Sequence, residues 1–150
     1  MDTPKQKLYN QCVALIKEKR DKIEANIALL QASLTSESKS TAGDKHETGR
    51  AMIQLEREKL GNQLKQLELQ EAVLNKIRTD NKSNLVVLGS YVETNNMNYY
   101  LSISLGKIMM DDISVFAISS KSPIGALLLG KEKGDEITFN GKTSIIKAIY

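Results

Sequence analysis

Cysteine, histidine and tryptophan are nearly absent from this chain of 150 residues, which contains one Cys, one His and no Trp. The single cysteine, Cys12, excludes an intramolecular disulfide, and with His46 as the one histidine no Cys/His cluster can form a structural zinc site. Cys12 falls among apolar helical positions with no histidine nearby in sequence, so we expect a buried, inert thiol. We also expect a reducing compartment, the cytoplasm.

Long apolar runs and a strong charge of one sign are also missing. The first residues contain no apolar stretch of signal-peptide length, and no later stretch approaches the roughly 20 apolar residues that span a bilayer. The net charge of +3 is too small to predict nucleic-acid binding by itself, because phosphate binding normally needs a concentrated basic face. We therefore expect a soluble protein with no membrane contact.

Charged residues are denser before about residue 80 than after it, and this shift predicts two domains, 1–80 and 81–150. The first domain carries two apolar seams at helical spacing, one from about Lys5 to Leu34 and one from near Glu47 to about Arg78. The seam positions are Ile16, Ile23, Ile27, Leu30 and Leu34 in the first run, and Ile53, Leu60, Leu64, Leu67 and Leu74 in the second. Two narrow seams joined by a polar segment predict an antiparallel two-helix coiled coil.

The second domain has short runs of β-forming residues at Leu85–Leu88, Tyr99–Ile103 and Ser114–Ile118. Met109–Asp112 separates the last two of these runs. A short helix is predicted between Pro123 and Leu129, and Asn140-Gly141 between two strand-like runs predicts a type I′ hairpin. The fold class is therefore α+β, with a coiled coil followed by a small antiparallel sheet and one short helix.

An acidic pair, Asp44 and Glu47, lies three residues apart just before the second helix. The pair fits a capping box, in which Asp44 is the N-cap and Glu47 the N3 residue, and spacing alone favours that interpretation. The same spacing places the two side chains about 5–6 Å apart on one helix face, within reach of a single Mg²⁺ ion. Two carboxylates hold Mg²⁺ weakly, so further ligands would have to come from a partner.

A modest basic cluster on the first helix is a second candidate site. It consists of Lys17, Lys19, Arg20 and Lys22, and it could meet RNA phosphates. Glu18 and Asp21 lie within the cluster, and an ordinary solvated face is an equally good interpretation.

Two motifs and the order of the domains resemble the Gre family of bacterial transcript-cleavage factors over nearly the whole chain. The first motif is Gly43-Asp44-x-x-Glu47 at the turn of the predicted hairpin. The second comprises ISSKSPI at 118–124, ALLLGK at 126–131 and GDE at 134–136, and it is the more specific of the two. The resemblance implies that the second domain is FKBP-like.

The resemblance further implies a binding partner, bacterial RNA polymerase. The second domain would dock near the secondary channel of the polymerase through Ser122, Pro123 and Ile124, while the coiled coil enters the channel. Asp44 and Glu47 would then help to hold a Mg²⁺ ion shared with the polymerase active centre. The polymerase would cleave the 3′ end of backtracked nascent RNA, so that the chain is a monomeric accessory factor and not itself an enzyme.

The residues after the acidic pair depart from the family pattern. Thr48, Gly49, Arg50 and Ala51 occupy the positions where the family has Asn, Ala, Glu and Tyr. Arg50 would either weaken the negative field of the acidic pair or contact RNA phosphate. A factor that regulates or inhibits polymerase through the same channel without stimulating cleavage is therefore the main alternative.

Two further functions belong to other classes. A prolyl isomerase of FKBP-like fold would need an aromatic pocket, and the lack of Trp and the location of Phe116 and Phe139 in predicted strands argue against it. A coiled-coil adaptor would use Asp44 and Glu47 for helix capping alone.

Overall fold

The computed structural model describes residues 2–38 and 43–150, with side chains described for 2–35 and 49–150. Two long helices come first, α1 (Pro4–Ser38) and α2 (Gly43–Lys76), followed by a six-stranded sheet and one short helix. Helix α1 begins where Thr3 Oγ1 accepts a hydrogen bond from the Gln6 amide at 3.2 Å, with Pro4 at the first helical position. None of the helices in the described ranges combines the length and apolar content that a bilayer crossing requires. The predicted fold class, helices first and an α+β domain second, is confirmed.

The chain divides into two compact units. The hairpin unit is Leu15–Glu71, and the sheet unit is Met1–Ala14 together with Ala72–Tyr150. The sheet unit thus includes the first turns of α1 and the last residues of α2. The predicted domain limits at 1–80 and 81–150 stay a prediction.

The hairpin unit is built on the apolar seams predicted from the sequence. The shielded seam positions are Ile16, Leu60 and Leu67, which are buried, and Ile23, Ile27, Leu30, Leu34, Ile53 and Leu64, which are half-buried. Between them, the flanking positions are mostly exposed and polar or charged. Gln6, at the start of α1, accepts a hydrogen bond from Thr79, just after α2, whereas Arg20, near the middle of α1, forms ion pairs with Glu68 and Glu71. The partner number falls as the α1 number rises, so the two helices run antiparallel.

The sheet has the strand order β3-β4-β2-β1-β6-β5. The strands are β1 (Tyr91–Thr94), β2 (Asn98–Ser102), β3 (Gly106–Met110), β4 (Ile113–Ser119), β5 (Glu136–Phe139) and β6 (Lys142–Ile149), and the short helix α3 (Pro123–Leu128) lies between β4 and β5. The sheet is mixed and not purely antiparallel as predicted, because β2 and β4 pair in parallel. Strand β3 follows β2 in the chain but does not pair with it, because β4 lies between them. Strand β4 pairs antiparallel with β3 and parallel with β2.

The local predictions for the sheet unit had different outcomes. The type I′ hairpin is confirmed, since Phe139 pairs with Lys142 and the two turn residues have positive φ angles, 52° at Asn140 and 77° at Gly141. Helix α3 and strands β2 and β4 also lie where they were predicted. The strand predicted at Leu85–Leu88 is wrong, because this segment forms only an isolated bridge between Leu85 and Glu132.

The two faces of the sheet are covered by different elements. One face supports a core of buried apolar residues: Val86, Val92, Leu101, Ile124, Leu128, Ile137 and Ile146. On the other face, Tyr100 and Ser102 of β2 are buried, and Cys12 of α1 lies with its Sγ 3.9 Å from Ser102 Oγ. The first turns of α1 therefore form part of the core of the sheet unit.

Cys12 should be protected from alkylation in the native chain. Its side chain is fully buried, and burial raises the pKa of the thiol above its ordinary value, so less of the reactive thiolate is present at any given pH. We expect iodoacetamide to modify the native protein at least about a hundredfold more slowly than the guanidinium-unfolded protein. Intact-mass spectrometry reports Cys12 alone, because the chain has one cysteine.

A Ser102→Ala variant is the matched control for this measurement. It removes the hydrogen-bond partner of the thiol but leaves the burial, which is the larger cause of the shift, so protection should persist. Equal labelling rates for native and unfolded protein would contradict the assignment of Cys12 to the core.

Candidate functional site

The acidic pair predicted at the hairpin turn lies in the first turns of α2, which begins at Gly43. Asp44 and Glu47 are three residues apart in this helix, so their backbone positions share a face. Their side chains lie outside the described residues, and both the capping and the metal-binding interpretations stay predictions. Among the described residues, no group of three or more His, Cys, Asp or Glu side chains could hold a metal ion.

The basic cluster predicted on α1 contains one residue with a clear structural role. The Arg20 guanidinium contacts three carboxylates, with Nε 3.1 Å from Glu24, Nη2 3.8 Å from Glu68 and Nη1 in a close contact with Glu71. Its charge is therefore compensated within the hairpin unit, where it links α1 to α2.

The other basic candidates are more exposed. Lys17, Lys19 and Arg50 are exposed, and no carboxylate of the described residues forms an ion pair with them. Lys22 is also exposed but lies 3.4 Å from Glu18 on the same helix. An exposed ion pair such as Lys22–Glu18 contributes little to stability, so Lys22 can leave Glu18 to bind a phosphate.

The three residues predicted to dock on polymerase lie at the start of α3. Ser122 is the N-cap of this helix: its Oγ accepts from the Gly125 amide at 3.1 Å and donates to the Ser119 carbonyl at 2.6 Å. Ile124 is 8% exposed and belongs to the apolar core. Pro123 is exposed at the first helical position, so it is the residue of the three that offers its side chain to a partner.

Gly125 of α3 lies very close to the backbone at the end of β4. A Cβ atom at position 125 would lie 2.0 Å from the Ser119 carbonyl oxygen, so only glycine fits there. The motif at 118–136 therefore includes residues that the turn itself requires, Ser122 and Gly125 among them.

A cavity of about 370 Å³ in the sheet unit was not predicted from the sequence. Its apolar lining consists of Met97, Tyr99, Phe116, Ile118, Ile124, Ile137 and Phe139. Polar side chains, including Asn96, Lys142 and Ser144, complete the lining. A pocket of this volume with mostly apolar walls and a few polar groups is the usual form of a ligand-binding site.

The aromatic walls of the pocket come from two separate parts of the sheet. Tyr99 of β2 pairs in register with Phe116 of β4, and their ring centroids are 6.4 Å apart at a tilt of 43°. Phe139 comes from β5, at the other end of the strand order. Strands from opposite halves of the sheet line one cavity, so the sheet curves around it. Burial raises the pKa of the Tyr99 hydroxyl, which is consistent with a poorly hydrated pocket.

The sequence-based argument against an aromatic pocket, that Phe116 and Phe139 lie in strands, is wrong. Both residues are in strands and both line the cavity, because alternate side chains of a strand face opposite sides of the sheet. The sequence of β5, Glu-Ile-Thr-Phe, alternates and so places Ile137 and Phe139 on one face, whereas β4 contains a continuous apolar run at 115–118. Neither pattern reveals that two distant strands share a cavity.

No protein-family model and no curated protein matches the chain. Among solved structures, it is similar to GreA factor homolog 1 (Gfh1) of Thermus thermophilus, with a TM-score of 0.36 and 19% identity over 95% of this chain and 94% of that one. It is also similar to a structure of the transcription factor Gfh1, with a TM-score of 0.35 and 18% identity over 95% of this chain and 92% of that one. Similarity at this level does not assign a function to the chain.

Replacing Gly125 should destabilise the sheet unit. In Gly125→Ala the added methyl group collides with the Ser119 carbonyl oxygen, and we expect a loss of about 1–3 kcal/mol or more in the free energy of unfolding. Guanidinium denaturation followed by circular dichroism measures the change.

Gly61→Ala is the matched control, because a Cβ atom at this exposed position of α2 meets nothing within 4 Å. Alanine is the better helix former, so the free energy of unfolding of this variant should rise by roughly 0.5–1 kcal/mol. If Gly125→Ala is as stable as the unmodified chain, the close approach between α3 and Ser119 is incorrect.

Proposed function

We propose that the chain is an accessory factor of bacterial RNA polymerase that acts through the secondary channel of the enzyme. The observation that carries the proposal is the hairpin of two helices, 35 and 34 residues long, with Asp44 and Glu47 in the first turns of the second helix. A helix of this length spans roughly 50 Å. The resemblance of the motifs at 43–47 and 118–136 to the Gre family supports the same function.

The chain would contribute ligands, and the polymerase would contribute catalysis. Asp44 and Glu47 offer carboxylate oxygens, the donor type that Mg²⁺ prefers, and their spacing allows both to approach one ion. Bound Mg²⁺ supplies positive charge that supports the attacking and leaving oxygens of phosphodiester hydrolysis. Since the two carboxylates bind the ion weakly alone, the remaining ligands would come from the polymerase and from the nascent RNA.

Docking on the polymerase would use the start of α3. Pro123 offers the exposed surface there, while Ser122 and Ile124 hold the helix in place through the cap and the core. The exposed cations Lys17, Lys19, Lys22 and Arg50 are the candidates for RNA contact. Arg20 is the weakest candidate, because it is already paired with three glutamates.

The acidic pair should be required for RNA cleavage but not for polymerase binding. Added to backtracked elongation complexes, the unmodified chain should release short 3′ RNA fragments. Asp44→Asn and Glu47→Gln should each slow the release by about tenfold or more, because each removes one charged ligand of the metal ion. Denaturing gel electrophoresis of end-labelled RNA measures the cleavage, and co-migration with polymerase measures binding.

Pro123→Ala is the complementary variant, since it changes an exposed side chain and should weaken polymerase binding while the fold is retained. Ile124 is unsuitable for this comparison because its substitution disrupts the core. If the chain binds polymerase but never stimulates cleavage, it is instead a secondary-channel regulator. If it does not bind polymerase, both versions are rejected.

A prolyl isomerase is a second candidate, and one observation favours it: the pocket lined by Tyr99, Phe116 and Phe139. Aromatic walls are a common means of holding a prolyl ring. In this case the unmodified chain should accelerate cis/trans interconversion of a prolyl tetrapeptide, and Phe116→Ala should abolish the acceleration. A protease-coupled assay measures the rate, and an unchanged rate with the unmodified chain rejects the isomerase.

A further inference from the structure

We infer that the open edge of β5 and the pocket beside it form one binding site for an extended segment of a partner protein. This segment pairs with β5 as an added strand, places one large apolar side chain in the pocket and carries an acidic residue two positions away. The inference does not depend on the proposed action of the hairpin turn on polymerase.

The first argument is the free hydrogen-bonding capacity of β5. This strand is last in the sheet order and pairs with β6 alone. In a hairpin with a two-residue type I′ turn, the pairs Phe139:Lys142 and Ile137:Ser144 exchange backbone hydrogen bonds. The alternation continues at the next such pair, where the Ile146 amide donates to the Asp135 carbonyl at 3.0 Å.

The residues between these pairs therefore direct their backbone groups outwards. They are Glu136 and Thr138, both exposed, and no backbone group in the described ranges bonds to their amides or carbonyls from the open side. An unpaired edge of this kind is a template for a further strand.

The second argument is the direction in which the side chains of β5 point. Ile137 and Phe139 alternate with the outward-bonding residues, and both line the pocket. An added strand would place its own alternate side chains on this same face, next to Ile137 and Phe139. Tyr99 and Phe116 form the aromatic wall beyond them, and a volume of about 370 Å³ accommodates a phenylalanine or leucine side chain.

The third argument is charge. Lys142 lines the same pocket and is exposed, and within the described ranges no carboxylate lies close enough to form an ion pair with it. An acidic side chain two positions from the apolar residue would face the same side of the added strand and could pair with Lys142. Main-chain pairing would supply affinity, and the pocket and Lys142 would supply specificity.

The test uses the full chain and fluorescein-labelled heptapeptides. The probe is Thr-Asp-Thr-Phe-Thr-Asp-Thr, with one comparison peptide in which Ala replaces Phe and another in which Lys replaces both Asp. Fluorescence anisotropy should show the Phe peptide binding about tenfold or more tightly than the Ala peptide, because only Phe buries a large apolar surface. The Phe peptide with its two Asp residues should also bind about threefold more tightly than the Lys peptide, as expected for an exposed ion pair.

Two variants of Thr138 separate strand pairing from simple occupation of the pocket. Thr138→Pro removes the outward amide, and proline is tolerated on an edge strand where the amide faces solvent, so binding should fall by about tenfold. Thr138→Val is the matched control, since it keeps the amide and removes the hydroxyl, which lies 3.0 Å from the Thr143 hydroxyl. Its affinity should match that of the unmodified chain, and thermal melting checks that both variants are folded.

Lys142→Glu should reverse the charge preference, so that the Lys peptide binds more tightly than the Asp peptide. Equal binding of the Phe and Ala peptides overturns the inference. Equal affinities of Thr138→Pro and Thr138→Val also overturn it, because the pocket would then bind without strand pairing. Neither result bears on cleavage by polymerase, which is measured separately at Asp44 and Glu47.

Discussion

The sheet unit depends on one requirement, that both faces of its single sheet be covered. The short helix α3 and the segment around Val86 cover one face, where Val92, Leu101 and Ile146 are buried. On the other face Cys12 of α1 lies beside Ser102, and Leu8 of α1 and Leu74 of α2 are buried in the same unit. Burying one large aliphatic side chain contributes about 1.5–3 kcal/mol. The start of α1 is therefore part of the core on which the sheet unit depends.

A feature of this fold can be predicted from the sequence when the residues that determine it are close together in the chain. The helical seams and the Asn140-Gly141 turn are determined by neighbouring residues, and both are found where they are predicted. Strand β3, with the sequence GKIMM, lacks the alternation that marks a strand, and the predicted connecting segment Met109–Asp112 is wrong for Met109 and Met110, which end this strand. The parallel pairing of β2 with β4 and the curvature around the pocket depend on contacts between distant segments. Local patterns contain no information about such contacts.

Local sequence patterns are also limited in what they predict about the candidate sites. The acidic pair and the block at 118–136 are recognised from short motifs, but a motif does not separate residues that bind from residues that fold. In this block Ser122 caps α3, Gly125 allows the close approach to Ser119, and Ile124 fills the core. The folding requirement accounts for these three residues. Only the exposed residues of the block can contact a partner, and Pro123 is the exposed residue among the three predicted to dock.

The two edges of the sheet differ in a way that bears on what the sheet unit can bind. At the β3 edge, the two-residue turn that joins β3 to β4 directs the Met109 carbonyl outwards, and the side-chain amide of Gln11 on α1 donates a hydrogen bond to it. The Lys7 ammonium lies 3.2 Å from the Asp111 carboxylate at the end of the same strand. Side chains of α1 thus occupy the β3 edge, whereas no side chain of the described residues bonds to the outward groups of β5. Since unprotected edges promote non-specific association and proteins usually cover them, an edge left open beside an aromatic pocket favours a specific added strand.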